Sequence, residues 1–201
     1  SIAVHVLLSA SRTREQGFFV LATDYIFMIG PRACGKTSVG SRIAMKLEDW
    51  TAFDLDTEYE QICFMETGRR INPNPDEYYN RSREILFEHL GLNNIVMCLG
   101  GGTLINSHSA PDGCIETLNK CRERGQVVLV LPSRFDFRNR KILYNREKQR
   151  RYSVTAHTVA EHYDKRISFF RNNADLIVYS NDIDTATDRI IKKYGLGAAE
   201  A

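Results

Sequence analysis

The chain has 201 residues, 43% of them hydrophobic and 26% charged, with a net charge of +2 at neutral pH. That length suits one well-buried domain, and so balanced a charge gives no case for nucleic acid or an anionic membrane as the main partner. No apolar run approaches the roughly 18 residues of a spanning helix. The five cysteines include no C-x-x-C pair, which indicates neither a disulfide framework nor a zinc site and fits a reducing cytosol.

Residues Ser1–Asp24 precede the first expected strand and form an N-terminal extension of unassigned role. Its apolar run, Ile2–Ala10, comes before Arg12 and Arg14, whereas a signal peptide carries its positive charge first. A transit-peptide remnant, an extra packed element and a linker all remain open. The next stretch organises the rest. Tyr25–Ile29 is a short apolar run, and Gly30-Pro31-Arg32-Ala33-Cys34-Gly35-Lys36-Thr37 follows it. An amphipathic helix comes next, with Val39, Ile43 and Leu47 on one face. Strand, Gly-x-x-x-x-Gly-Lys-Thr and helix together make the context of a Walker A phosphate loop. Its glycines let successive N–H groups and the helix N-terminus point at one anion. Gly30, Arg32, Cys34, Gly35, Lys36, Thr37 and Ser38 are therefore expected at the nucleotide. Lys36 reaches the β- and γ-phosphates in such loops, and the Thr37 hydroxyl holds Mg²⁺. Cys34 has two readings, a thiol activated by the helix N-terminus and Lys36 or an inert small residue lining the loop.

Further along, Ala52–Asp56 reads as a strand whose end, Asp54-Leu55-Asp56, sends both carboxylates to one side. In a parallel sheet that is the ligand end. A helix over Thr57–Glu66 runs to Gly68, a fitting C-cap, and Arg69–Asp76 reads as loop. Glu77–Leu90 is expected as helix, and Ile95–Leu99 as a buried strand leading into Gly100-Gly101-Gly102, where a backbone can approach a ligand closely. A helix over Cys114–Arg124 and a strand over Gln126–Leu131 precede a very basic stretch from Arg134 to Arg151. Helix His157–Arg171, strand Leu176–Ser180 and helix Asp184–Tyr194 complete the pattern, with 196–201 as a tail. Strands alternating with helices argue one α/β domain over 25–195. The specific expectation is a P-loop NTPase three-layer sandwich, with a five-stranded parallel sheet in the order 2-3-1-4-5.

Five blocks in order resemble the shikimate kinase family: the phosphate loop, Asp54-x-Asp56, Arg81-x-x-Glu84, the triple glycine, and Arg166-x-x-x-Phe170-Arg171. The resemblance covers about Tyr25 to Tyr194. It implies phosphoryl transfer from ATP, with Mg²⁺, to the 3-hydroxyl of shikimate, and a cytoplasmic enzyme. By resemblance Asp54 holds Mg²⁺ through water, while Asp56 binds the acceptor hydroxyl and takes its proton. Arg81 and Arg171 clamp the substrate carboxylate, a task suited to guanidinium forks, and Gly100, Gly101 and Gly102 offer backbone N–H groups. A lid around 141–160 delivers an arginine, with Arg146, Arg150 and Arg151 as candidates and Arg146 and Arg150 taken as catalytic. Arg140 stacks on adenine, and Ser180–Asp184 falls where the family's adenine loop lies.

The chain departs from the family in three places. No proline follows Pro132, so the lid lacks the family's Arg-Pro-Leu-Leu; Ala33 stands where a glycine is common; the helix before Gly68 is about one turn longer. The altered lid leaves open a kinase of another small hydroxylated acid, such as gluconate. A catalytically silent nucleotide-binding module is the other alternative, against which the intact Lys36, Thr37, Asp54 and Asp56 speak. Aromatics among the lid arginines lie at helix-packing spacings, which argues against a nucleic-acid surface. A monomer is the default.

Overall fold

The computed structural model describes residues 23–68, 75–105, 111–149 and 155–197. A five-stranded parallel sheet runs through it in the order β2-β3-β1-β4-β5. Its strands are β1 (Tyr25–Ile29), β2 (Thr51–Asp54), β3 (Ile95–Cys98), β4 (Gly125–Leu131) and β5 (Leu176–Tyr179). Seven helices alternate with them: α1 (Lys36–Lys46), α2 (Leu55–Thr67), α3 (Pro75–His89), α4 (Pro111–Arg124), α5 (Asp136–Lys148), α6 (Ala156–Asn172) and α7 (Ile183–Tyr194). This is the expected α/β architecture, with helices covering both faces of the sheet.

Burial explains the strand sequences. Every residue of β1 and β3 is buried, so these strands read as continuous apolar runs rather than alternating ones. The edge strands β2 and β5 are only partly buried, and of the two β2 carries the polar residues Thr51 and Asp54. On α1, Val39 and Ile43 face this core. Gly40 lets the helix approach the sheet, because a Cβ there would lie 2.8 Å from the Cys98 sulfur. No helix among the described residues is long and apolar enough to cross a membrane.

Several boundaries differ from the sequence expectation, and one matters for chemistry. β2 stops at Asp54, whose side chain accepts from Thr57 N–H at 3.2 Å as the N-cap of α2. A capping carboxylate competes with strand continuation, so Asp56 lies on the first turn of the helix rather than at the strand end. The two carboxylates are therefore not strand neighbours on one face. Gly68 does end α2, in a left-handed conformation with φ 68°. The basic stretch is mostly α5, and the part of the expected lid from 150 to 154, with Arg150 and Arg151, lies outside the described residues. So do residues 1–22 of the expected extension, 69–74 of the expected loop and 198–201 of the expected tail.

Candidate active site

The phosphate loop joins β1 to α1 at the C-terminal edge of the sheet, where ligands of parallel α/β folds bind. Its backbone is wound by three left-handed residues: Gly30 at φ 143°, Ala33 at φ 60° and Gly35 at φ 102°. Gly30 also runs close beneath β4, since a Cβ there would lie 2.5 Å from the Val130 carbonyl oxygen. Gly35 caps α1 without a side chain, and the first turn of the helix carries no acidic residue. Its leading N–H groups thus remain for an anion. The buried Lys36 ammonium donates to the Gly30 and Pro31 carbonyls, both at 3.2 Å, which holds it across the mouth of the loop. Thr37 and Ser38 are exposed on the first turn.

Thr37 Oγ1 donates to Asp54 Oδ2 at 2.5 Å. A hydroxyl beside a carboxylate is a hard-oxygen pair of the kind Mg²⁺ takes, with phosphate and water filling its remaining positions. The residues present therefore fit that ion. Cys34 settles on the inert reading. It is fully buried, and burial pushes its thiol above the ordinary value despite the opposing pull of Lys36.

Asp56 is exposed at the start of α2 and accepts a short hydrogen bond from the Tyr78 hydroxyl on α3. Burial, and after it the Asp56 charge, push the Tyr78 phenol well above its usual pKa. Gly100 packs against both groups, and a Cβ there would overlap the Asp56 carboxylate and the Tyr78 hydroxyl. Only glycine fits. A Cβ on Gly101 would lie 3.6 Å from Arg32 N in the phosphate loop and 3.6 Å from Arg166 Nη1 on α6. Arg166 Nη1 donates to the Gly101 carbonyl at 2.9 Å, and burial lowers its pKa. A Cβ on Gly102 would lie 3.6 Å from an edge carbon of the Tyr78 ring.

The expected arginines divide. Arg146, on the last turn of α5, donates from Nη1 to the Ala33 carbonyl at 3.0 Å, so the structure brings it to the phosphate loop. Arg32 of that loop pairs with the buried Glu147 at 3.2 Å. Arg81 faces a cavity of about 360 Å³ between α2 and α3, where it bonds Glu66 at 2.7 Å and Glu84 at 2.9 Å. It stands about one helical turn from Tyr78. Arg171 is not at the site. It is held by Asp136, which also accepts from the Tyr163 hydroxyl at 2.6 Å. Arg166 is the arginine of that motif that reaches the triple glycine. Arg140 is likewise engaged elsewhere, with Asp164 at 3.0 Å from Nε and over the Tyr163 ring.

A second cavity of about 300 Å³ is lined by Arg134, Arg138, Tyr179 and Asn181 among others. Arg134 sits 5.9 Å over the Tyr179 ring. Ser180, between Tyr179 and Asn181, donates to the Cys34 carbonyl, which sets this cavity beside the phosphate loop. Tyr78, Arg134 and Arg138 carried no motif of their own. An aromatic on the apolar stripe of a helix reads as core, and one arginine of a basic run reads like the next.

Comparison with known proteins bears on the fold and the family. The family model described as shikimate kinase matches residues 32–194. A shikimate kinase of Baumannia cicadellinicola is 28% identical over 106 residues, 52% of this chain and 56% of the relative. The matched stretch thus spans little more than half the length of the curated relatives. Among solved structures, shikimate kinase from Bacteroides thetaiotaomicron superposes with a TM-score of 0.65 at 18% identity, covering 86% of this chain and 99% of that one. The Acinetobacter baumannii shikimate kinase in complex with shikimate gives 0.63 at 20% identity, covering 86% and 94%. With the family model matched over most of its length, from Arg32 to Tyr194, the chain belongs to the shikimate kinase family.

Proposed function

We propose that this chain is an ATP-dependent kinase that transfers the γ-phosphoryl group to the 3-hydroxyl of shikimate. The observation that carries the reading is the position of Gly101, where a Cβ would stand 3.6 Å from both Arg32 N of the phosphate loop and the Arg166 guanidinium. A small acid lying there has its carboxylate near a cation and its hydroxyls near Asp56 and the phosphate loop. Phosphoryl transfer asks little covalent chemistry of the protein and mostly needs positioning and charge stabilisation.

The roles follow from that arrangement. Lys36 and the N–H groups of Gly35 through Ser38 hold the phosphates. Thr37 and Asp54 hold Mg²⁺, which supplies charge neutralisation on the phosphate oxygens when bound. Asp56 accepts the proton of the attacking hydroxyl. Arg166 takes the substrate carboxylate in place of Arg171, and Arg81 joins it if its bonds to Glu66 and Glu84 yield. Gly100 and Gly102 keep the floor of the acceptor pocket free of side chains. Arg146, already against the loop, is the arginine for the transferred charge, with Arg150 as the alternative. The nucleobase takes the cavity of Arg134, Arg138, Tyr179 and Asn181. The catalytic unit in this reading is 25–195, acting as a monomer. The five free and buried cysteines suit a reducing, cytosolic setting.

The test is ADP release from ATP and Mg²⁺ with shikimate, with gluconate as control. Shikimate alone stimulates release in the expected outcome, and Lys36→Ala or Asp56→Ala lowers it by at least about a hundredfold. Stimulation by gluconate instead discards the acceptor, and ATP binding without stimulation by either discards the kinase.

A further inference from the structure

We propose that Tyr78 is a positioning residue for Asp56: its hydroxyl holds one carboxylate oxygen so that the other is presented to the acceptor hydroxyl. This rests on the kinase reading above. Among the described residues, Asp56 takes its hydrogen bond from Tyr78. Unlike Asp54, which is fastened by Thr37 and by Thr57 N–H, it has no backbone cap to orient it. An aspartate on the exposed first turn of a helix samples several rotamers. In-line transfer, by contrast, needs the base within hydrogen-bond reach of one particular hydroxyl.

Tyr78 is itself fixed on three sides. Its ring meets Tyr59 edge-on with centroids 4.9 Å apart. The ring edge lies 3.6 Å from where a Cβ of Gly102 would be, and the hydroxyl sits against Gly100. The bare Gly100 turn thus lets a phenol from α3 reach a carboxylate on α2 that is 22 residues away in sequence. A ring packed in this way transmits its position to the carboxylate through one bond. The same bond ties the two helices flanking the candidate acceptor pocket.

Steady-state kinetics on four proteins decide the matter: wild type, Tyr78→Phe, Asp56→Ala and the double variant, with ATP, Mg²⁺ and shikimate. Phenylalanine keeps the ring and its packing on Tyr59, and thermal midpoints within a few degrees of wild type show that the fold is retained. Positioning predicts that Tyr78→Phe lowers kcat by about tenfold and shifts the KM for shikimate by less than about threefold. It also predicts that the substitution adds nothing in the Asp56→Ala background. An unchanged kcat, a loss confined to KM, or the same loss with Asp56 already removed overturns the proposal. A wild type that turns over no shikimate overturns the kinase reading and this proposal together, whereas an active wild type with a fully active Tyr78→Phe removes only the second.

Discussion

Ala33 holds a left-handed backbone at φ 60° in the phosphate loop, a conformation that costs an L residue about 1 kcal/mol and glycine nothing. The loop keeps its shape because the Gly30 and Gly35 turns and the Arg146 bond to the Ala33 carbonyl over-determine it. Ala33→Gly should therefore stabilise the protein by about 0.5 kcal/mol, the relief of strain less the added freedom of the unfolded chain. Urea unfolding with an unchanged slope checks it, and a destabilised variant would mean that the strain is borne elsewhere. Residue scale is also where the arginines part. Arg166 and Arg171 are five positions apart on one helix, about 140° around its axis, so they cannot serve the same face. One looks to Gly101 and the other to Asp136.

At the scale of elements, α5 and α6 are fastened near the start of one and the end of the other. Asp136 opens α5 and accepts from Arg171 and Tyr163, while Asn139 donates to the Tyr163 hydroxyl at 3.0 Å and accepts from Ser133 N–H at 2.7 Å. The Arg171 hydrogen bond, above all, holds the Asp136 carboxyl below its usual pKa. A depressed carboxylate contributes stability that is complete above the unfolded value and is lost as pH falls through the folded one. Asp136→Asn should accordingly cost about 1 kcal/mol near neutral pH. The figure is kept low because the Asp136 and Arg171 side chains are 36% and 37% exposed and solvent screens them. The gap between wild type and variant should narrow as pH falls through the depressed folded value, read by urea unfolding at neutral pH and through the acid range. A gap that persists in acid would assign the cost to packing. Arg146 and Glu147, at the far end of α5, meet the phosphate loop, so this fastening bears on how α5 is aimed at the nucleotide.

For the molecule as a whole, the sheet is both core and scaffold. β1 pairs with β3 on one side and β4 on the other, with Ile29 opposite Leu129. Leu129 is fully buried, and its Cδ1 lies 3.4 Å from where a Cβ of Gly30 would stand. Stability and loop geometry therefore share a side chain. Leu129→Ala should cost about 3 kcal/mol, the lost transfer energy plus the cavity left behind. It should also weaken ATP binding, because the floor of the loop is removed. A lowered urea midpoint together with a raised dissociation constant for ATP–Mg²⁺ checks the link. Unchanged affinity in a destabilised protein would separate core from loop.

By itself, the sequence determined the alternation of strands and helices, the phosphate loop and the triple glycine. These are short-range matters: period, turn chemistry and the order of blocks along the chain. It also placed Lys36, Thr37 and Asp54, whose positions follow from the turns that carry them. Tertiary structure alone decided that Asp56 belongs to a helix, because the Asp54 cap won over strand continuation by a side-chain hydrogen bond that alternation cannot express. It decided that Arg166 faces the glycines while Arg171 and Arg140 pair with Asp136 and Asp164, since the phase of a helix against its neighbours selects among equivalent cations. And it decided that Tyr78 meets Asp56, a contact between two helices made possible by the missing side chain of Gly100 on a third segment.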